Sequence, residues 1–150
     1  MPARRLRRIV HATDFSTASS RAFAKAVELA RSAGARLLVL HVMTPPSPFT
    51  GAAPAASWIE LEARARRAAD RRLAQLVARA ARAGIRARGR RVPGAPAETI
   101  ARQAGREGAD LVVVGTHGRS GLGRMFMGSV AARLILLAPC PVLTVRGRSR

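Results

Sequence analysis

The stretch from Leu111 to Val130 constrains the fold of this chain more than any other. It begins with the apolar run LVVV, which is too short for a helix and rich in β-branched side chains. We therefore predict a buried strand of the parallel type that ends at Gly115. Further glycines follow at short intervals: Gly118, Gly121 and Gly123. Gly128 and Ser129 then open an apolar pattern with helical spacing. This order indicates a strand, a glycine-rich binding loop and a helix start.

A loop of this kind is suited to binding an anion, and a polyphosphate in particular. Glycine lets backbone amides approach a ligand that a Cβ atom would keep away. The first amides of a helix have no partner within it and lie at the positive end of its dipole. Ser129 adds a hydroxyl group, and Arg119 and Arg124 add positive charge. From the residues alone, an ordinary glycine-rich turn is the alternative.

Two familiar phosphate-binding motifs are excluded by the residues of the loop. A Walker A motif needs the pattern G-x-x-x-x-G-K-[ST], and the only lysine of the chain, Lys25, lies far from the loop in sequence. The dinucleotide fingerprint belongs after the first strand of its fold, and the third glycine position that it requires is occupied here by Phe126. A nucleotide bound by this loop would therefore be held by a different motif.

The rest of the chain predicts a regular alternation of strands and helices. Four further strands are expected: Ile9–Ala12 together with Leu6, Leu37–Val42, Ile85–Val92 and Val142–Val145. The mostly charged third strand suits a peripheral position, and the last suits a sheet edge. With four intervening helices, this order predicts an α/β fold. We expect a single doubly wound, five-stranded parallel sheet with helices on both faces, in one domain that spans residues 1–150.

Capping residues set the expected boundaries of the first and third helices. Ser16 is expected to cap the first helix, which ends at Gly34. The third helix is expected to have Pro96 as its first residue and Glu98 in its first turn. It ends near one of two glycines: Gly105 or Gly108.

The second helix is predicted to be long. It follows an irregular connection from Thr44 to Ala56, begins with a capping box formed by Ser57 and Glu60, and ends near Gly84. Seven residues are predicted on its inner face: Leu61, Ala65, Ala68, Leu73, Leu76, Val77 and Ala80. Its many arginines are expected to form a solvated outer face.

The charge balance of the chain is extreme, with 27 basic and 8 acidic side chains and a net charge of +19. Such a field attracts nucleic acid or another anionic surface, and the attraction weakens with salt. The arginines are dispersed, tyrosine is absent and aromatic residues make up only 3% of the chain, so the stacking residues of an RNA platform are missing. Non-specific attraction of nucleic acid and a compositional bias toward Arg and Ala are both open explanations.

We expect a cytoplasmic protein without a membrane partner. The basic start of the chain is followed only by the short Ile9-Val10 run, which is not the apolar core of a signal peptide. No apolar run approaches the ~20 residues needed to cross a bilayer. The single cysteine, Cys140, excludes an internal disulfide.

Two motifs give the chain a resemblance to a known family. Gly115, Gly118, Gly128 and Ser129 have the spacing G-x2-G-x9-G-[ST], and the segment TDFS begins at Thr13. Both features resemble the ATP-binding universal stress proteins, and the similarity extends along nearly the whole chain. The resemblance implies a Rossmann-like fold similar to the adenine nucleotide alpha hydrolases.

The resemblance also implies a binding site for ATP and Mg²⁺. Ala12, Thr13 and Asp14 would line the adenosine pocket, and the backbone of Val42 would contact adenine. The ribose and phosphates would be held by residues of the glycine pattern and the following helix: Gly115, Gly118, Gly128, Ser129 and Val130, with charge from Arg119. The carboxylate of Asp14 would bind ribose hydroxyls or lie near the Mg²⁺ ion. From the residues alone, Asp14 could instead cap the following helix, a role for which Ser16 competes.

Several other features are expected to be structural or to depart from the family. Gly94, Pro96 and Glu98 resemble the family's G-x-P-x-E segment and are interpreted as structural. His11 precedes Ala12 where relatives commonly have a more apolar residue, a departure that would change the pocket wall. The large basic excess is also unusual for the family.

No catalytic residue is predicted. The three histidines, His11, His41 and His117, are scattered, and no cluster has the spacing of metal ligands. His11 and His41 occupy strand positions that suit structural histidines. The sequence therefore predicts an ATP-binding, nucleotide-sensing stress-response module, and relatives imply a homodimer through Val142–Val145. The alternatives are a weak or partner-activated ATPase and a basic nucleic-acid-binding stress protein.

Overall fold

A computed structural model describes residues 5–45, 54–116 and 128–147. In these ranges strands and helices alternate along the chain: β1 (Arg8–Ala12), α1 (Thr17–Ala33), β2 (Arg36–Met43), α2 (Ala55–Arg82), β3 (Ala87–Pro93), α3 (Pro96–Glu107), β4 (Leu111–Gly115), α4 (Ser129–Leu137) and β5 (Val142–Val145). No helix within them is long and apolar enough to cross a membrane.

The strands form a single sheet in the order β3-β2-β1-β4-β5, and every neighbouring pair is parallel. β1 is the central strand, and His11 lies opposite Val39 of β2 and Val113 of β4. The outer positions of β3 and β5 confirm the predictions of a peripheral third strand and a final edge strand. The predicted five-stranded parallel sheet is therefore confirmed.

Two hydrophobic cores lie on opposite faces of the sheet. Alternate residues of β1 supply both, because successive side chains of a strand point to opposite faces. Ile9 packs with Phe23 of α1 and Leu73 of α2 in one core. Val10 packs with Ile100 of α3 and Leu134 of α4 in the other. The helices thus cover both faces, and the doubly wound arrangement is confirmed.

The predicted boundaries of α1 and α3 are also confirmed. The Ser16 hydroxyl accepts a hydrogen bond from the Ser19 amide at 3.2 Å, and Gly34 ends α1 in the left-handed conformation with φ of 67°. Pro96 is the first residue of α3, and the helix ends at Gly108, whose φ is 59°. Left-handed backbone is costly for other residues but not for glycine, which explains both helix ends.

The start of α2 differs from the prediction. The capping box of Ser57 and Glu60 is wrong, because the helix already begins at Ala55, with Pro54 in the capping position. The Ser57 amide donates to the Pro54 carbonyl at 2.9 Å, so Ser57 lies inside the first turn. The φ of −58° that the proline ring enforces suits a helix start, and the alanine that follows is a strong helix former. The predicted connection from Thr44 is correspondingly shorter, and residues 46–53 lie outside the described part of the chain.

The inner face of α2 also differs from the prediction in its first half. Leu73, Leu76, Val77 and Ala80 pack against the core, but Leu61 is 57% exposed and Ala65 is exposed as well. The reason is length. A helix of 28 residues is about 42 Å long, whereas the seven residues of β3 span only about 23 Å. The first turns of α2 therefore extend past the sheet, and their apolar side chains have no core to face.

His11 is the one ionisable side chain within the described residues that lies fully inside the core. Its Nδ1 lies 3.1 Å from the carbonyl oxygen of Val113, which can only accept, so Nδ1 carries the proton. Its Nε2 is buried and has no hydrogen-bond partner among the described residues. Burial lowers the pKa of His11 from 6.5 to about 4, against weaker opposing effects of the Val113 hydrogen bond and the Asp14 charge. The imidazole is therefore neutral at physiological pH.

The pKa of His11 predicts a loss of stability in acid. Between pH 6.5 and about 4 the unfolded chain binds a proton that the folded chain does not, so the free energy of unfolding should fall as pH decreases through this window. The expected slope from this group is about 1.4 kcal/mol per pH unit. Urea unfolding at several pH values should show this dependence. In the His11→Leu variant, the slope of the unfolding free energy against pH should be smaller by the contribution of about one proton. An identical pH dependence in both proteins would contradict the assignment.

Candidate functional site

A cleft of about 530 Å³ opens at the carboxyl end of the sheet, where the parallel strands end. Eight of the ten predicted site residues line it: Ala12, Thr13, Asp14, Val42, Gly115, Gly128, Ser129 and Val130. The other two, Gly118 and Arg119, lie outside the described residues, as does His117. Segments that are about 100 residues apart in sequence therefore meet around one cavity.

The topology explains why the cleft forms at this place. From β1 the chain proceeds through α1 to β2 on one side, whereas β4, its other neighbour, leads to β5 on the opposite side. The connections leave β1 and β4 in opposite directions, so the space beyond their carboxyl ends stays open. Open α/β sheets bind their ligands at such a switch point.

The cleft has an apolar wall and a polar mouth. Val42, Ile100 and Val114 belong to or pack against the second core and also line the cavity. Thr13 and Asp14 follow β1 directly, and Ser129 begins α4. The arrangement can hold a ligand with a flat apolar part and a charged part, since apolar surface favours the first and the hydrogen-bonding groups favour the second.

The turn after β1 is fixed by its own hydrogen bonds. The Thr13 hydroxyl oxygen accepts from the Ser19 hydroxyl at 2.6 Å and from the Phe15 amide at 3.0 Å. Phe15 has a φ of 63°, a left-handed conformation that is uncommon for a bulky residue. The ring of His41 packs against Phe15 at 4.5 Å, and its Nδ1 donates to the Thr13 carbonyl at 2.8 Å. These contacts hold the strained turn at the rim of the cleft.

Asp14 belongs to this turn and is not the helix cap. Its Oδ1 accepts from the Ser16 amide at 2.9 Å, while Ser16 itself caps α1. The carboxylate lines the cleft and is only partly buried. Of the two roles that the sequence left open for Asp14, the structure therefore assigns the cap to Ser16 and places the carboxylate beside the cavity.

The two ends of the glycine loop are joined at the cleft. The Gly128 amide donates to the Thr116 carbonyl, so the chain re-enters beside the point where it left β4. Gly128 occupies the capping position of α4, and as a glycine it has no side chain that could accept from the first amides of the helix. The first amides of α4, at Ser129 and Val130, thus lie at the cleft with the positive end of the helix dipole.

Gly115 has a packing reason of its own. A Cβ atom at this position would lie 3.0 Å from the carbonyl carbon of Ala18 and 3.2 Å from the amide nitrogen of Ser19. The backbone of α1 therefore approaches the end of β4 so closely that only glycine fits without a shift. The glycine at position 115 is therefore needed for packing, in addition to its predicted contact with a ligand.

Sequence reasoning missed several residues of the cleft. Met43 and Thr44 end and follow β2, Thr116 follows β4, and Ile100 comes from the first turns of α3. The first three could have been found by extending the rule that ligands lie beyond the strand ends, whereas Ile100 is brought in only by packing. Pro96, predicted to be structural, also lines the cleft.

The other predicted structural residues have structural contacts. Gly94 has a φ of 144°, and a Cβ atom there would collide with the Thr99 hydroxyl. Glu98 forms a hydrogen bond with Arg133 of α4, and its own backbone amide together with Arg133 lowers the pKa of its carboxyl. The expected effect of His11 on the pocket wall is wrong, because its ring contacts Phe23 on the opposite face of the sheet.

Metal-binding residues do not cluster in the described part of the chain. No group of three or more His, Cys, Asp or Glu side chains is close enough there to hold a metal ion. A divalent cation would therefore take most of its ligands from a bound phosphate or from water, with Asp14 as the carboxylate at the cleft.

Residues 5–146 match the Universal stress protein family. The chain belongs to this family. It is 38% identical over 138 residues to a universal stress protein of Thermus aquaticus, a match that covers 92% of this chain and 97% of the relative. It also resembles the solved structure of MJ0577 from Methanocaldococcus jannaschii with a TM-score of 0.84, 23% identity and coverage of 97% of this chain and 99% of the other, which shows the shared fold.

Two further solved structures of the family contain nucleotides. A universal stress protein in complex with cAMP is 27% identical, with a TM-score of 0.68 and coverage of 95% of this chain and 98% of the other. The universal stress protein of Archaeoglobus fulgidus in complex with dAMP is 25% identical, with a TM-score of 0.66 and coverage of 94% and 98%. Each of these two universal stress proteins is therefore known in complex with an adenine nucleotide.

The close approach at Gly115 predicts a loss of stability on substitution. Gly115→Ala should lower the free energy of unfolding by about 1–3 kcal/mol, because the backbone of α1 must shift to admit the methyl group. Gly147→Ala is the matched control, since its Cβ would meet Ala18 at an ordinary 3.5 Å. Urea unfolding of the three proteins without nucleotide should separate the two substitutions. Equal stabilities would show that Gly115 is not required by packing.

Proposed function

We propose that this universal stress protein binds ATP with Mg²⁺ in the cleft and acts as a nucleotide-sensing stress-response module. The observation that carries the proposal is the junction of an apolar wall with the open helix start of α4 at the switch point of the sheet. An adenine ring suits the wall beside Val42 and Ile100, and phosphates suit the amides of Ser129 and Val130. The nucleotide complexes of the two relatives support an adenine nucleotide as the ligand class.

The proposed roles divide the site between its two ends. Ala12, Thr13 and Asp14 would contact the nucleoside, and Gly128 would let the phosphates approach the backbone. The predicted contributions of Gly118 and Arg119 fall outside the described residues and stay predictions, as does the cytoplasmic location. Asp14 would lie near the Mg²⁺ ion, whose charge ATP brings to the site.

Slow hydrolysis is not the favoured function of this cleft. Phosphoryl transfer needs a group that orients the attacking water. Asp14 is the only carboxylate among the described residues of the cleft, and its Oδ1 already accepts from the Ser16 amide. The proposal is therefore a binding function, in which occupancy by ATP is the signal.

Gly128→Val tests the helix start of α4. Gly128 has a φ of −55°, which valine can adopt, so the added side chain should obstruct the cleft without straining the backbone. We expect ATP affinity to fall by at least about tenfold, or about 1.4 kcal/mol, in calorimetry, with an unchanged circular dichroism spectrum. Ala132→Val, one turn further along α4 and away from the cleft, is the control. Wild-type affinity in the Gly128 variant would remove this helix start from the site.

Asp14→Asn tests the role of the carboxylate. Asparagine keeps an oxygen that can accept from the Ser16 amide, so the turn should survive while the charge is lost. We expect ATP affinity to fall more when Mg²⁺ is present than when the metal is chelated, because the carboxylate would act on the ion as well as on the nucleoside. Calorimetry in both conditions makes the comparison. The same loss in both conditions would show that Asp14 contacts the nucleotide and not the metal.

We also propose that the chain forms a homodimer through β5. One side of this strand pairs with β4, and its other side has no partner strand among the described residues, so it forms an edge of the sheet. The neighbouring helix α4 exposes apolar side chains next in sequence to this strand: Ile135, Leu136 and Leu137, with Leu136 85% exposed. A second copy would cover both the open edge and this apolar surface.

Leu136→Glu should disrupt such a dimer, because it would place two charges in an apolar interface. Light scattering at micromolar concentration should give the mass of a dimer for the wild type and of a monomer for the variant. Ile59→Glu is the matched control, since Ile59 is an exposed apolar residue of α2, at 69%, far from β5 in the sheet order. A monomeric wild type would rule out the proposed assembly.

A further inference from the structure

Arginines are concentrated at the amino end of the sheet, opposite the cleft. The register places Arg8 of β1 beside Arg36 of β2. Leu37 of β2 is in turn beside Ala87 of β3, and its amide donates to the carbonyl of Arg86. Since neighbouring strands lie about 4.8 Å apart, Arg8, Arg36 and Arg86 begin three adjacent strands within about 10 Å of one another.

The ends of three helices enlarge this row into a surface. Helices of a parallel βα fold begin at the carboxyl end of the sheet and return to its amino end, so their last turns lie here. Arg31, Arg82 and Arg106 occupy the last turns of α1, α2 and α3. We define the amino-end surface by eight arginines, all of them exposed: Arg5, Arg7, Arg8, Arg31, Arg36, Arg82, Arg86 and Arg106.

The acidic side chains near this surface are already engaged by other groups. Glu107 forms ion pairs with Arg88 and Arg90, the latter at 3.0 Å. Asp110 accepts hydrogen bonds from the backbone amides of Arg7 and Arg8 at 2.9 and 3.0 Å. Asp110 keeps its negative charge, but the eight arginines outnumber these two carboxylates, so the surface keeps a net positive charge.

A purely structural role accounts for only part of the surface. A positive charge in the last turn of a helix interacts favourably with its dipole, and this explains Arg31, Arg82 and Arg106. Arg36 and Arg86 stand at the start of a strand or just before it, where no helix end needs them. Their side chains make no hydrogen bond or ion pair with any described residue. Both charges are therefore exposed and available to a partner outside the chain.

We infer that the amino-end surface binds the phosphate backbone of double-stranded nucleic acid. A duplex offers a dense, regular array of negative charge, and contacts to it need basic side chains but no stacking residues. No large apolar side chain is exposed at the three strand starts or in the last turns of α1, α2 and α3. The exposed apolar residues at this end of the sheet belong to the last turn of α4: Ile135, Leu136 and Leu137. The proposed dimer would cover those residues of α4, which leaves a surface of arginines. Such a surface favours a duplex over an anionic membrane, whose peripheral binders also insert apolar groups.

The location adds a second consequence. The nucleotide cleft and the amino-end surface lie at opposite ends of the same strands, so a duplex held at one end leaves the other open. Duplex binding should therefore continue when ATP saturates the cleft. This inference does not depend on the proposed ATP site, and the two can fail separately.

The test compares two triple variants that lose the same charge. Arg36→Gln/Arg82→Gln/Arg86→Gln removes the middle of the amino-end surface. Arg21→Gln/Arg67→Gln/Arg71→Gln is the control, because these arginines are exposed on α1 and α2 but lie outside the surface. Fluorescence anisotropy with a labelled DNA duplex of about two helical turns, from about 50 to 200 mM salt, gives affinity and salt dependence.

We expect the amino-end variant to bind the duplex at least about tenfold more weakly at low salt. Its salt slope should be smaller by about three, because each of the three arginines would neutralise about one phosphate in the wild type. The control should stay close to the wild type. Thermal unfolding should show that both variants fold, and wild-type binding should be the same with saturating ATP. Equal losses of affinity in the two variants, competition by ATP, or binding to anionic vesicles without binding to the duplex would each overturn the inference.

Discussion

The structure depends on the burial of β1 between β2 and β4. The last four residues of this strand are almost completely hidden from solvent, and its backbone is paired in parallel on both sides. Parallel neighbours cannot be joined by tight turns, so each connection must cross a face of the sheet as a helix. The connection from β1 to β2 crosses one face of the sheet through α1, and the connection from β4 to β5 crosses the other face through α4 in the opposite direction. The carboxyl ends of β1 and β4 are therefore left uncovered. The cleft is therefore a consequence of the central strand.

The same arrangement gives the two ends of the sheet opposite chemistry. All four helices begin at the carboxyl end, where their unpaired amides favour an anion, and α4 presents such amides directly to the cleft. At the amino end the helices finish, and arginines gather there in helix turns and at strand starts. Side chains that are dispersed in the sequence thus become one charged surface. The composition alone does not reveal that eight of the arginines share one exposed surface in the fold.

Some residues that the sequence associates with a ligand also have a role in packing. Gly115 makes room for the backbone of α1, just as Gly94, which was predicted to be structural, makes room for the Thr99 hydroxyl. His11, next to the predicted pocket, turns to the other face and contacts Phe23. One glycine of the family's pattern, Gly115, is therefore required by a close approach within the fold, independently of the proposed contact with phosphate.

The sequence by itself determined the elements that local patterns control. Apolar runs located the strands, and Ser16, Gly34 and Pro96 located helix ends, because capping and left-handed backbone depend on neighbouring residues alone. Through the resemblance of its motifs to a family, the sequence also indicated eight residues that line one cleft. Only the tertiary structure decided the start and the exposed first half of α2, the direction of His11, the entry of Ile100 into the cleft and the gathering of arginines at the amino end. These features depend on the length of the sheet, its strand order and its register, which are contacts between distant segments that no local pattern encodes.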